Sequence, residues 1–132
     1  WSQTFCGILR NGLRCIIGWN MALDENGKPN VGPFSCGGLV TIHSRTREII
    51  RSGQYWAFAH YSRAIRRAAT IIQSEGELKD IHHVAARNPD GTSAVVLTNA
   101  GAAQRTVWIK QGKSAVEVQL PSDSIATLVW NG

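Results

Sequence analysis

Apolar residues up to about position 70 recur at more than one period, whereas those from 71 onward fall in short runs broken by turn formers. Phe5, Ile8 and Leu9 stand at helical spacing, with Leu13 one turn further on. They predict a helix with Ser2 or Thr4 as N-cap and an end near Asn11-Gly12, where a left-handed residue is tolerated. Cys15–Leu23 is a nearly continuous apolar run, and its lack of alternation predicts a parallel strand buried on both faces. Asp24–Asn30 is dense in turn formers and predicts a loop at the carboxyl end of that strand. The loop continues through Gly32-Pro33 and Gly37-Gly38 to a short strand at Leu39–Ile42. Arg45-Thr46-Arg47 predicts a turn before Glu48–Ile50. Between Gln54 and Arg67, Tyr55, Phe58, Ala59, Ser62 and Ile65 lie near one helical face, with the arginines mostly off it.

The second half predicts strands at Thr70–Ser74, Ile81–Arg87, Ala94–Thr98, Arg105–Ile109, Ala115–Leu120 and Ser124–Trp130. Asn88-Pro89-Asp90-Gly91, Gln111-Gly112-Lys113 and Pro121-Ser122-Asp123 mark the turns. Short strands with such regular turns imply an antiparallel β-sandwich. The fold class is therefore mainly β: a sandwich preceded by a helix, a strand, a loop and a second helix, half of an α/β unit lacking its neighbours.

Composition narrows the partners. The 132 residues carry 14 Lys+Arg and 9 Asp+Glu, a net charge of +5. The basic residues are scattered apart from Arg45/Arg47/Arg51 and Arg63/Arg66/Arg67, so solvated arginines are expected rather than a nucleic-acid footprint. No apolar run approaches the roughly 18 residues of a membrane-spanning helix, and no signal-peptide pattern opens the chain, leaving its compartment open. Trp1 rather than Met stands first, and the single methionine is Met21, which points to a piece of a longer polypeptide. Cys6, Cys15 and Cys36 match no zinc-site spacing; at most one disulfide is available, and buried free thiols are expected.

Few residues suggest chemistry. Asp24 and Glu25 are the only adjacent carboxylates, and neighbours in a loop point apart, so they form a poor acid/base pair. Asp24 is the better functional candidate, just past a strand end, although loop solvation explains both. Trp19 and Asn20 are the most informative pair: an indole face can receive a sugar ring and an amide its hydroxyls, while a core role for Trp19 stays open. His43, His60, His82 and His83 form no metal-binding pattern, and His60 is expected to hydrogen-bond at a domain junction. Ser35 lies outside any GxSxG motif, and no phosphate-binding glycine loop occurs. Trp108 and Trp130 fall in predicted strands and are expected to face the core or a neighbouring barrel. No metal or organic cofactor is implied.

The segments GWNMALDENGKPN, CGGLVTI, YWAFAHYSRAIRRAA, ARNPDGTSAVVLTNAG and LPSDSIATLVW occur in this order. Together they resemble the carboxyl-terminal part of glycoside hydrolase family 30, nearest its glucosylceramidase-like branch, over essentially the whole chain. The resemblance implies that residues 1–70 are the last part of a (β/α)8 barrel and residues 71–132 its side β-sandwich. It also implies that some sandwich strands come from polypeptide preceding the barrel. Such enzymes are retaining hydrolases with two glutamates ~5–5.5 Å apart. The resemblance places both glutamates upstream of Trp1, so no catalytic residue is assigned here and the chain is expected to be inactive alone. Trp19, with Asn20 beside it, matches a tryptophan of the sugar-binding subsite. The parent is expected to act on β-glucosides or glucosylceramide-like glycoconjugates; relatives are often extracellular or lysosomal.

Two departures stand out: Gly27-Lys28-Pro29-Asn30 replaces Gly-Gly-Pro-Asn, and Arg66-Arg67-Ala68-Ala69 replaces Arg-Pro-Gly-Ala, which alters the barrel–sandwich joint. The alternatives are a stand-alone carbohydrate-binding sandwich, using exposed aromatics such as Trp56, Trp108 or Trp130, and a purely structural role. A lone parallel strand exposes both edges, so self-association through residues 1–55 is expected.

Overall fold

A computed structural model describes residues 1–34 and 36–131. Ser35 and Gly132 lie outside the described residues, and with them the reading of Ser35 as a loop residue.

Helix α1 (Ser2–Arg10) ends as its sequence demands. Gly12 takes φ +82°, Gly12 N–H donates to Leu9 O and Leu13 N–H to Ile8 O, a Schellman closure. Its start differs from expectation. Trp1 is the N-cap, without a side-chain cap bond, and Ser2 turns into the core. There its hydroxyl meets those of Tyr61 and Thr98, and Tyr61 Oη donates to Ser2 O at 2.8 Å. Burial raises the Tyr61 phenol to about 12.

The expected strand at Cys15–Leu23 is largely absent. Only Ala22–Leu23 (β1) forms a ladder, pairing in parallel with Val40–Ile42 (β2), which pairs antiparallel with Ile49–Arg51 (β3). Residues 13–21 run with strand-like alternation: Leu13, Cys15, Ile17, Trp19 and Met21 are exposed, while Ile16, Gly18 and Asn20 turn partly inward. The apolar run was expected to be buried on both faces; within this chain only one face finds a cover. Cys15 is exposed for the same reason, so of the three unpaired thiols only Cys6 is fully buried.

Helix α2 (Gly53–Ala64) is capped by Ser52, whose Oγ accepts from Tyr55 N–H and donates to Leu39 O. Its buried stripe is Gln54, Ala57, Tyr61 and Ala64, with Phe58 and Ile65 packed beside it. The expected face was rotated, and Ser62 is exposed. The side chain that wins the core is Tyr61, because its hydroxyl finds the Ser2 and Thr98 partners on α1 and the sheet.

The sandwich follows its turn signals closely. Thr70–Ile72 (β4), Ile81–Arg87 (β5), Thr92–Asn99 (β6) and Ser124–Asn131 (β9) form an antiparallel sheet in the order β4-β5-β6-β9. Arg105–Gln111 (β7) and Ser114–Leu120 (β8) form a hairpin over one face of that sheet. Gly112, at φ +57°, opens the two-residue β7–β8 turn, as a type II′ turn requires.

Strand β6 is buried on both sides. Ala94 and Val96 pack with Phe5, Cys6, Ala57 and Tyr61 of the helices. Val95 and Leu97 pack with Val107 and Leu120 of the hairpin. The strand ends at Asn99, which is fully buried. Its Nδ2 donates to Ala103 O, Leu120 O and Pro121 O, and its Oδ1 accepts from Gly101 N–H. One side chain thus ties together the strand leaving for the hairpin and the strand returning from it.

At the other end, Asn88 closes the β5–β6 turn onto α2. Its Nδ2 donates to Ala64 O at 2.9 Å and its Oδ1 accepts from Arg66 N–H at 3.0 Å. Asn99→Ala strands several buried carbonyls and is expected to cost about 1–3 kcal/mol in urea unfolding. An unchanged midpoint with unchanged slope refutes the role given to this side chain.

Candidate functional site

The exposed end of the 13–21 segment meets the β1–β2 sheet and the start of α2. Asn20 O accepts from Leu39 N–H at 2.9 Å and Met21 O from Val40 N–H at 3.0 Å, which extends the ladder back toward Trp19. Gly38 must be glycine, since a Cβ there meets Val40 O at 2.7 Å. Gly18 lies against the Phe58 ring with the same consequence. The Trp19–Asn20 peptide is cis, as is Lys28–Pro29.

These contacts place Trp19, 75% exposed, at the edge of a depression of about 510 Å³ lined also by Trp1, Gly37, Ser52 and Gln54. Asn20 Nδ2 and Gln54 Nε2 are buried donors without partners. Gln54 lines the depression together with the open indole, whereas Asn20 is not among its lining residues. No carboxylate lines the depression, so among the described residues it offers binding groups and no general acid, base or nucleophile. Within this chain Trp19 is outside the core.

The adjacent carboxylates serve the loops. Asp24 Oδ1 accepts from Asn26 N–H and Lys28 N–H, folding its own turn. Glu25 takes both the Oγ–H of Ser44 at 2.5 Å and its N–H at 2.9 Å, clasping this loop to the β2–β3 turn. The Ser44 side-chain bond, followed by its backbone bond, pulls the Glu25 carboxyl down to about 2. His60 and His83 are likewise spent on structure. His60 Nδ1 bonds Thr127 Oγ1 at the helix–sheet junction, and His83 lies between Ser74 Oγ and Gly76 O. No cluster of three or more His, Cys, Asp or Glu side chains among the described residues can hold a metal. Among the described residues no helix is long and apolar enough to cross a membrane. Trp130 packs in the sandwich, but Trp108 lies outside the core and faces solvent in this chain.

The chain is mainly β, with antiparallel sheets forming a sandwich. Residues 68–128 match the family described as glycosyl hydrolase family 30 beta sandwich domain. The chain is 24% identical over its full length to the endo-1,6-beta-D-glucanase of Neurospora crassa, covering 27% of that protein. Over 93% of its length it is 28% identical to endo-1,6-beta-D-glucanase neg1 of Aspergillus fumigatus, again covering 27%. Among solved structures, the endo-beta1,6-glucanase BT3312 superposes with a TM-score of 0.88 at 29% identity, over 96% of this chain and 29% of that one. SrfJ from Salmonella typhimurium gives 0.94 at 23% identity, over 99% and 29%, and shares the fold. The family match thus covers the sandwich half of the chain, and the chain spans about a quarter of the length of the curated relatives it matches. The glucosylceramidase-like branch is the coarser match, since the curated relatives are named as 1,6-glucanases.

Because the folded Glu25 value is depressed from 4.5, its contribution is full above the ordinary range and fades as pH falls from about 4.5 through about 2. In a carboxyl-resolved NMR titration, Ser44→Ala is expected to return Glu25 toward its ordinary value. A wild-type titration near 4.5 refutes the clasp.

Proposed function

We propose that residues 1–70 are the last part of a (β/α)8 barrel and residues 71–132 its side sandwich. The assembled protein hydrolyses β-1,6-linked glucan, with Trp19 and Asn20 in the sugar subsite and both catalytic glutamates on the remainder of the barrel. The alternation along residues 13–21 carries this reading. Ile16 packs against the helical core, while Leu13, Ile17, Trp19 and Met21 form an exposed face on a segment with no ladder partner at 13–19. A barrel strand cut from its neighbours has this form: one face on the helices, the other toward a barrel interior, and both edges open.

The sandwich supports the same reading. Its main sheet has four strands and the opposing hairpin two. A cavity of about 560 Å³ therefore opens between the β4–β5 side and the free edge of β7, with the unpartnered Ser93 Oγ on its wall. Strands from polypeptide preceding the barrel fill such a gap. The names of the relatives supply the linkage, and the absence of carboxylates from the Trp19 depression agrees with a chain that binds but does not cleave.

The isolated chain is expected to release no sugar from linear β-1,6-glucan. Co-expression with the preceding three quarters of a family 30 glucanase is expected to restore turnover. In that assembly Trp19→Ala is expected to lower kcat/KM by about 10- to 100-fold through loss of the sugar platform. Turnover by the chain alone, or full activity in the variant, overturns the reading.

Apart from its partner, the exposed face is expected to drive self-association through residues 1–55. Ile17, 89% exposed, is central to that face. Ile17→Asp is expected to shift sedimentation velocity profiles toward monomer at unchanged far-UV circular dichroism. A wild-type chain that stays monomeric at high concentration contradicts the open-face account.

A further inference from the structure

The two tryptophans of the second half lie on opposite sides of the hairpin layer. Trp130 sits in the sandwich and donates its indole N–H to Gln111 Oε1 at 2.5 Å. Trp108, on the strand that supplies Val107 and Ile109 to the core, is 57% exposed. The inward residues already hold the hairpin, so packing does not require an indole on the outer face.

Its surroundings are chemically specific. Strand alternation places Thr106, Trp108 and Lys110 of β7 on one outer face with Gln119, Glu117 and Ala115 of β8. These face each other as the cross-strand pairs Thr106–Gln119, Trp108–Glu117 and Lys110–Ala115, and all six are exposed. Residues two apart along a strand are about 6.5–7 Å apart. The ring therefore has hydrogen-bonding side chains before, beside and after it, at roughly the spacing of one sugar unit. Ala115 leaves one diagonal low, so a chain can lie flat across the platform.

We propose that this face is a second carbohydrate-binding site, separate from the Trp19 depression, which takes a neutral β-linked polysaccharide by stacking a sugar ring on Trp108. C–H groups on one face of a pyranose meet the electron-rich indole. Thr106, Gln119, Glu117 and Lys110 exchange hydrogen bonds with its hydroxyls. The charge balance selects the class of ligand. One cation and one anion leave the face neutral, without the clustered cations a polyanion requires, and one aromatic beside an alanine is too small an apolar patch for a lipid surface. The site lies on a strand pair rather than on a loop, so its geometry is preorganised. Its consequence is to hold the sandwich on an extended substrate while the barrel acts.

The linkage used as probe, β-1,6-glucan, rests on the function proposed above; the platform itself does not. The test is affinity electrophoresis of the full chain in native gels cast with linear β-1,6-glucan, and in parallel gels with dextran sulfate. Retardation by the neutral glucan is expected, reduced about tenfold in affinity by Trp108→Ala. Trp108→Tyr is expected to retain most of it, and Trp19→Ala to remove only the share owed to the separate Trp19 depression, so that adding Trp108→Ala to it lowers the affinity by the same factor again. Circular dichroism of each variant checks the fold, and the tyrosine variant keeps the test decisive if the alanine variant unfolds. No retardation of the wild type, retardation only by the polyanion, or equal retardation of all three variants overturns the site. Loss in Trp19→Ala alone also overturns it while favouring the barrel subsite, which separates failure here from failure of the proposed function.

Discussion

The fold hangs on one strand that has to be covered twice. Strand β6 carries apolar side chains on both faces, so neither a helix layer nor a hairpin alone keeps it from water. Ala94 and Val96 recruit α1 and α2; Val95 and Leu97 recruit β7 and β8. Because successive residues alternate faces, a one-residue slip of register would exchange the two sets and misplace both layers. The polar residues at its end secure this arrangement: Thr98 reaches the Ser2–Tyr61 hydroxyls on one side, and Asn99 collects the crossing loops on the other. The helices, which read by sequence as part of the first half, are thereby fastened to the second.

That fastening sets what the first half can present. With α2 fixed on the sheet, Ser52 caps it and holds Leu39, Leu39 holds Asn20, and Trp19 is left standing outward. The aromatic edge is supported by a chain of backbone contacts that runs to the sandwich core. Carboxylates nearby are used as loop clasps, Asp24 within its turn and Glu25 on Ser44. Recognition and bond cleavage fall on different portions of the polypeptide in this reading.

Much was legible in the residues. The six sandwich strands follow from short apolar runs between Asn-Pro-Asp-Gly, Gly-Lys and Pro-Ser-Asp turns, because local turn chemistry and period-two patterning act over a few residues. The five ordered segments resembled the family whose sandwich model matches residues 68–128, and Trp19 and Asn20 stood out near the end of a buried-looking run. Less was legible where a residue's environment depends on distant partners. The Cys15–Leu23 run reads as a strand covered on both sides, since a pattern records burial preference without recording whether the cover is present. The α2 stripe was misplaced because Tyr61 is drawn inward by hydroxyls more than thirty residues away in either direction. Trp108 was read as facing the core or a neighbouring barrel because hydrophobicity alone does not tell the two faces of a hairpin apart.

The sequence by itself determined the mainly β class, the turns and the strands between them, since these rest on interactions among near neighbours in the chain. Tertiary structure decided which face of each element is covered, where Ser2 and Tyr61 point, which carboxylates are spent and which tryptophans remain open. Those outcomes depend on long-range packing and on burial of polar groups that must find partners, and neither is encoded in any single segment.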